Sequence, residues 1–136
     1  MGNEPVIVLD THALVWWLTG GSALSHAAKQ AIAEAAQEAP VVVSAISILE
    51  IVTAVRRGRL QFARLVERWL ADAHLLPELC FAPVSAEIAQ LAGSLGQELH
   101  GDPADRIIAA TAIILGCSLV TADEKLRTCR ALTTVW

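Results

Sequence analysis

Five short apolar runs alternate with stretches of helical periodicity along this chain, and that alternation restricts the fold more than any other feature. The runs are Val6–Leu9, Val41–Ser44, Cys80–Val84, Ser118–Thr121 and Leu132–Val135. They are short and nearly continuous in apolar character, as strands buried on both faces are. Between the first two, Thr11–Leu18 reads as a helix closed by Gly20-Gly21, and Ser25 suits the N-cap of an alanine-rich helix that Pro40 stops. Ser47–Arg57 carries Ile48, Ile51, Val52 and Val55 at helical spacing and ends at Gly58. Further helices are predicted over 61–75, with Leu65, Trp69 and Ala73 on one stripe, and over 85–99. Asp102-Pro103 then combines an N-cap with the first helical position of a helix that runs to Gly116, and a short helix is predicted over 123–127. Strand and helix in alternation predict a three-layer α/β/α domain with a central, mainly parallel sheet. No repeat or linker divides the chain, so residues 1–136 read as one domain.

Four carboxylates fall where these elements meet. Asp10 closes the first strand, Glu50 lies within the apolar segment Ile46–Val52, Asp105 sits in the first turn of the helix after Pro103, and Asp123 follows the fourth strand. Each alone has a bland explanation. Asp10 and Asp123 suit helix N-caps, and Asp105, three residues after Asp102, suits the reciprocal place of a capping box. Glu50 fits that explanation least, because a carboxylate buried among apolar neighbours costs several kcal/mol unless it is paired or protonated. In a parallel α/β sheet all four positions converge at the carboxyl ends of the strands, where ligands bind. Acids gathered there repel one another unless a cation lies between them, and hard oxygen donors favour Mg²⁺ or Mn²⁺. Such an ion polarises phosphoryl oxygens and acidifies water, which points to a metal-dependent phosphodiesterase. His12, His26, His74 and His100 lack the spacing of a metal motif and read as surface or satisfied polar residues.

Composition narrows the rest. Hydrophobic residues make up 54% of the chain, so either the core is unusually complete or a partner covers apolar surface. Asp10, Glu50 and Arg106 interrupt every apolar stretch that approaches a membrane span, and Glu4 and Pro5 stand where a secretion signal would be basic and then apolar. Cytoplasmic residence is the expectation. Cys80, Cys117 and Cys129 form no CxxC pair and read as free thiols. The net charge of -4 argues against a general nucleic-acid coat protein, yet setting the four acids aside leaves ten acidic against ten basic residues. Arg56, Arg57, Arg59, Arg64 and Arg68 crowd one region, as a solvated face or as a contact for RNA or an acidic partner.

Four segments together carry a family resemblance: Val8-Leu9-Asp10-Thr11-His12-Ala13-Leu14, Val43–Ile51 with Glu50, His100-Gly101-Asp102-Pro103-Ala104-Asp105-Arg106 continuing to Ala112, and Leu119-Val120-Thr121-Ala122-Asp123. In order, spacing and total length the chain resembles a PIN domain of the VapC type, the toxins of type II toxin–antitoxin systems. The resemblance implies a Mg²⁺- or Mn²⁺-dependent endoribonuclease that hydrolyses RNA phosphodiester bonds with metal-activated water. Asp10, Glu50, Asp105 and Asp123 match the family's catalytic metal ligands. Thr121 matches its small hydroxylated residue, which supports a carboxylate or water. Asp102 also matches the pattern, although its place before Pro103 favours a helix cap. Arg106 would hold either a carboxylate or a scissile phosphate. The resemblance further implies a homodimer and a VapB-like antitoxin whose tail fills the active-site groove; of Trp16 and Trp17 on the first helix, core packing accounts for at least one, and the other is available to line an antitoxin or dimer groove.

Two other classes use similar scaffolds. A haloacid-dehalogenase-like phosphotransferase needs a second Asp two residues after the first, where His12 stands, and a receiver domain needs a Lys after a late strand, where Thr121-Ala122-Asp123 stands. A PIN-like module retained only for binding is the remaining alternative, and the presence of all four acids argues against it.

Overall fold

The computed structural model describes residues 6–97 and 99–136, so Glu4 and Pro5 lie outside the described residues. Five parallel strands form one sheet in the order β3-β2-β1-β4-β5. They are β1 (Ile7–Leu9), β2 (Val41–Ser44), β3 (Leu79–Ala82), β4 (Ser118–Val120) and β5 (Thr134–Val135). Among the described residues seven helices connect them: α1 (Thr11–Thr19), α2 (His26–Glu38), α3 (Ile46–Arg56), α4 (Val66–Leu75), α5 (Ala86–Ser94), α6 (Pro103–Leu115) and α7 (Glu124–Arg127). From β1 the chain steps outward through β2 to β3, then crosses back to lay β4 on the other side of β1. That reversal makes the carboxyl ends of β1 and β4 the topological switch point, where open α/β sheets form their ligand crevice.

Register and pleat explain why the apolar runs are continuous. Val8 lies opposite Val42 and Leu119, and Leu9 opposite Val43 and Val120. Successive residues of β1 face opposite layers. Ile7 and Leu9 join Val41, Val43 and Val120 beneath α1, α2 and α4, while Val8 and Leu119 meet Ile108, Ala109 and Ala112 of α6 on the other face. The small residues of α6 let it lie close to the sheet, and α5 packs outside it through Ile88 and Ala92 against Ala110.

Helix ends follow the local chemistry. The Ser25 and Ser85 hydroxyls cap α2 and α5 by accepting from the Ala28 and Ile88 N–H groups. Gly116 ends α6 at φ 64, a left-handed conformation that a Cβ disfavours. Two predicted helices are shorter than their periodicity suggested. Residues 61–65 form a loop, because Phe62 turns to stack on Trp69 with ring centroids 4.4 Å apart, and α4 begins only at Val66. Leu65 consequently leaves the apolar stripe and is 70% exposed. The predicted 85–99 helix stops at Ser94, and the next helix is capped by Asp102.

Candidate active site

Main-chain bonds carry the sheet ladder just past its last assigned residues. Asp10 N–H donates to the Val120 carbonyl at 3.1 Å, and Thr121 N–H donates to Val135 at 3.2 Å. Asp10 and Thr121 are thereby fixed side by side at the switch point, both buried. One carboxylate oxygen of Asp10, Oδ1, accepts from Ala13 N–H at 2.8 Å and caps α1. The other, Oδ2, accepts the Thr121 hydroxyl at 2.5 Å. Thr121 Oγ1 in turn accepts from Asp123 N–H at 3.0 Å, and Asp123 Oδ1 caps α7 through Lys125 N–H. A single hydroxyl therefore links the loops that follow β1 and β4.

Glu50 reaches the cluster from α3 through a second hydroxyl network. Thr11 Oγ1 donates to Glu50 Oε1 at 2.5 Å and lies 2.8 Å from Ser47 Oγ. Thr11 has one hydroxyl hydrogen, and Glu50 takes it, so Ser47 is the donor in the second contact. Neither Thr11 nor Ser47 was singled out in the sequence. The available signal was positional: Thr11 follows Asp10 directly, and Ser47 precedes Glu50 by three residues on one helical face.

The third contribution comes from the start of α6. Asp102 Oδ1 accepts from Ala104 and Asp105 N–H groups at 2.9 and 3.4 Å, so its expected cap is formed. Asp102 also joins Glu50 and Asp105 in a group whose oxygens lie within 4.8 Å of one another. Capping and clustering coexist at this residue. Asp105 belongs to a second such group with His100 and Asp123, with His100 Nε2 2.9 Å from Asp105 Oδ2. His100, read from sequence as a surface or satisfied polar side chain, thus stands against the cluster. Asp10 lies outside both tight groups and is tied to Asp123 through Thr121.

Arg106 is placed differently from either role implied for it. Its guanidinium donates to the carbonyls of Ala92, Leu95, Leu99 and His100, binding the end of α5 and the following loop to α6. Four carbonyl acceptors engage its planar fork, and the group faces main chain rather than a carboxylate. The Arg56–Arg68 cluster is exposed throughout, with Arg64 paired to Asp72.

The electrostatics are those of crowded acids. Burial, followed by the charges of Asp102, Asp123 and Glu50, pushes Asp105 up to about 6. Burial also raises Asp10 and Glu50, against the opposing bonds from Thr121 and Thr11. Among the described residues, no lysine or arginine forms an ion pair with Asp10, Glu50, Asp102, Asp105 or Asp123. Carboxylate oxygens at close range with no resident cationic side chain fit a hard divalent cation such as Mg²⁺ or Mn²⁺.

Comparison with known proteins agrees with this geometry. The family model "PIN domain" matches residues 7–131. The chain is 39% identical over 132 residues to Ribonuclease VapC22 of Mycobacterium tuberculosis (strain ATCC 25618 / H37Rv), covering 96% of this chain and 98% of that protein. Its fold is similar to that in a toxin–antitoxin complex from Klebsiella pneumoniae, at 25% identity and a TM-score of 0.63, covering 94% and 96% of the two chains. VapBC2 from Rickettsia felis, bound to a fragment of its promoter DNA, shares the fold at 20% identity and a TM-score of 0.69, covering 95% and 96%. The order of the strands, the crevice between β1 and β4 and the match over residues 7–131 lead to one conclusion: the chain belongs to the PIN-domain family.

Proposed function

We propose that this protein is a Mg²⁺- or Mn²⁺-dependent endoribonuclease, the toxin of a type II toxin–antitoxin pair, acting as one domain over residues 1–136. What supports the reading is that Asp105 lies close to both Glu50 and Asp123, that Thr121 ties Asp10 to Asp123, and that the chain is 39% identical to a ribonuclease. Those four acids are the catalytic residues and would hold the cation, with Asp102 at the rim of the same cluster. The cation, when bound, neutralises the acids, polarises a phosphoryl oxygen and brings the acidity of water into the neutral range. Thr121 fixes the Asp10 carboxylate and the Asp123 loop, so that both present oxygens toward the crevice. Thr11, itself braced by Ser47, does the same for Glu50. Burial at the floor of the site excludes bulk water from Asp10 and strengthens these contacts. Charge growing on the scissile phosphate is thus met by a preorganised, charge-compensated pocket.

The partners follow from the same reading: an RNA substrate, a VapB-like antitoxin and a second copy of the chain. Leu49 and Val52 on α3 are 60% and 41% exposed, apolar surface of the kind a protein partner covers. A cytoplasmic setting belongs to the same reading; among the described residues no helix is long and apolar enough to cross a membrane.

Incubating a mixed cellular RNA pool with purified protein tests the proposal. Discrete cuts are expected with Mg²⁺ or Mn²⁺, none with EDTA, and none from Asp10→Asn purified identically. Cleavage that survives EDTA, or that Asp10→Asn retains, would overturn it.

A further inference from the structure

His100 stands against the acids of the crevice, and the carboxylate chemistry leaves it without a role. Its Nε2 is buried and lies 2.9 Å from Asp105 Oδ2, yet the N–H direction is off the line to that oxygen and forms no aligned hydrogen bond. The other ring nitrogen settles which way the imidazole is used. Nδ1 accepts from Asp102 N–H at 3.3 Å, so a neutral ring carries its proton on Nε2. An imidazole that ligates through Nε2 needs the opposite tautomer, with Nδ1 donating to an acceptor. Here Nδ1 faces a donor. In this tautomer Nε2 carries a proton, directed off the line to Asp105 Oδ2, and offers no lone pair to a cation.

The loop that carries this ring is itself held. Arg106, adjacent to Asp105, binds the His100 carbonyl at 3.2 Å and the Leu99 carbonyl at 3.0 Å, and reaches back to Ala92 at 2.9 Å. One guanidinium thus fixes the backbone of His100 relative to α6, whose first turn bears Asp105.

We infer that His100 is a positioning residue that steers the Asp105 carboxylate from outside the metal shell, with Arg106 as the anchor of the loop that holds it. The imidazole touches Asp105 on one oxygen and leaves the carboxyl group free to present the other to the crevice. The contact acts through its closeness, 2.9 Å at a buried nitrogen, rather than through an aligned hydrogen bond, so it limits where Asp105 Oδ2 can sit without sequestering the carboxylate. This rests on the reading of the site as a cation site, and the test separates the two.

Binding of Mn²⁺ measured by calorimetry without RNA gives the first readout. Wild-type protein is expected to bind, and Asp10→Asn to bind much more weakly. Wild type failing to bind would sink the cation site itself. Given binding by wild type, His100→Ala should raise the dissociation constant about tenfold, as loss of an outer partner of a metal ligand does. His100→Gln, whose amide N–H reaches a similar point, should recover most of that loss, while thermal melting shows all variants folded. Equal affinity in wild type and His100→Ala would refute the steering role. A second readout needs no variant: the ring nitrogens of ¹⁵N-histidine protein at pH 8. The Nε2–H tautomer is expected for His100, retained when Mg²⁺ is added. An Nδ1–H tautomer, or loss of the Nε2 proton on adding Mg²⁺, would instead make His100 a ligand and overturn the inference.

Discussion

Removing the Thr121 hydroxyl tests how the site is built, because that one group serves both flanking loops. Thr121→Val keeps the shape of the side chain and deletes its oxygen, in a residue with no exposed surface. The hydroxyl donates to the Asp10 carboxylate at 2.5 Å, and a bond to a charged acceptor contributes about 1.5–3 kcal/mol. It also accepts from Asp123 N–H, and leaving that donor unpaired adds about 1 kcal/mol. The expected loss is about 3 kcal/mol. For 136 residues an unfolding entropy of about 2.1 cal/mol/K per residue makes 1 kcal/mol worth about 3.5 °C, so melting should fall by about 10 °C in EDTA. Thr121→Ser removes only a methyl group and should cost about 1 kcal/mol, or 3–4 °C. The hydroxyl favours the charged form of Asp10, so the Thr121→Val loss should also be larger at pH 8 than at pH 5. Melting followed by circular dichroism at both pH values reads all three effects. If Thr121→Ser cost as much as Thr121→Val, packing rather than the hydrogen bond would hold these loops, and the reasoning would fail.

Other consequences are as direct. Asp105 is raised to about 6, with Asp10 and Glu50 raised as well, so between pH 4 and 6 the folded protein holds protons that the unfolded chain has released. That contribution is full below about pH 4 and disappears as pH climbs through 6, so metal-free melting temperatures should decline across this window and Mn²⁺ should flatten the decline; a rise over it would refute the assignment of crowded acids. Asp123→Asn should abolish RNA cleavage without lowering metal-free stability, since Asn caps α7 as well as Asp and relieves repulsion; a fall of several degrees would show that the charge serves the helix alone. Asp105→Asn should raise metal-free stability by about 1 kcal/mol at pH 7, measured by urea unfolding, with a loss of that size as the contrary result. Arg106→Lys exchanges a fork bound to four carbonyls for a single ammonium, and should destabilise by about 2–3 kcal/mol on the same assay; a change below about 0.5 kcal/mol would deny it the anchoring role.

The elements were legible in the sequence wherever a local signal marked both ends. Val41–Ser44 is a continuous apolar run, and α6 is bounded by Asp102-Pro103 and Gly116, so both appear where the pattern put them. The start of α4 was not legible, because Leu65 keeps helical spacing with Trp69 and only the stacking of Phe62, a tertiary contact, pulls the preceding residues away. Asp10, Asp105 and Asp123 stood out by their places after strands and at helix starts, which a parallel sheet sends to one end, and Glu50, in the second turn of α3, stood out by its apolar neighbours. What joins them did not. Thr11 meets Glu50 across 39 positions and Thr121 meets Asp10 across 111, and no local pattern encodes partners at that separation. Arg106 misled for a related reason: its neighbour Asp105 faces the crevice, while one step around the helix turns the guanidinium to the loop.

The capping and clustering roles of the acids are two expressions of one arrangement. Asp10, Asp102 and Asp123 each give an oxygen to the first N–H groups of the helix that follows, so the amino ends of α1, α6 and α7 converge on the crevice. For α1 and α6, of 9 and 13 residues, the aligned peptide dipoles place partial positive charge at those ends. That field offsets part of the repulsion and lets the acids gather without a cationic side chain among them. The compensation is partial, because Asp105, Asp10 and Glu50 remain raised. A lysine within the cluster would have completed the balance and filled the place that the proposed divalent ion would take. Backbone dipoles and hydroxyls leave that place open, stabilising the acids in part and leaving room for the proposed cation.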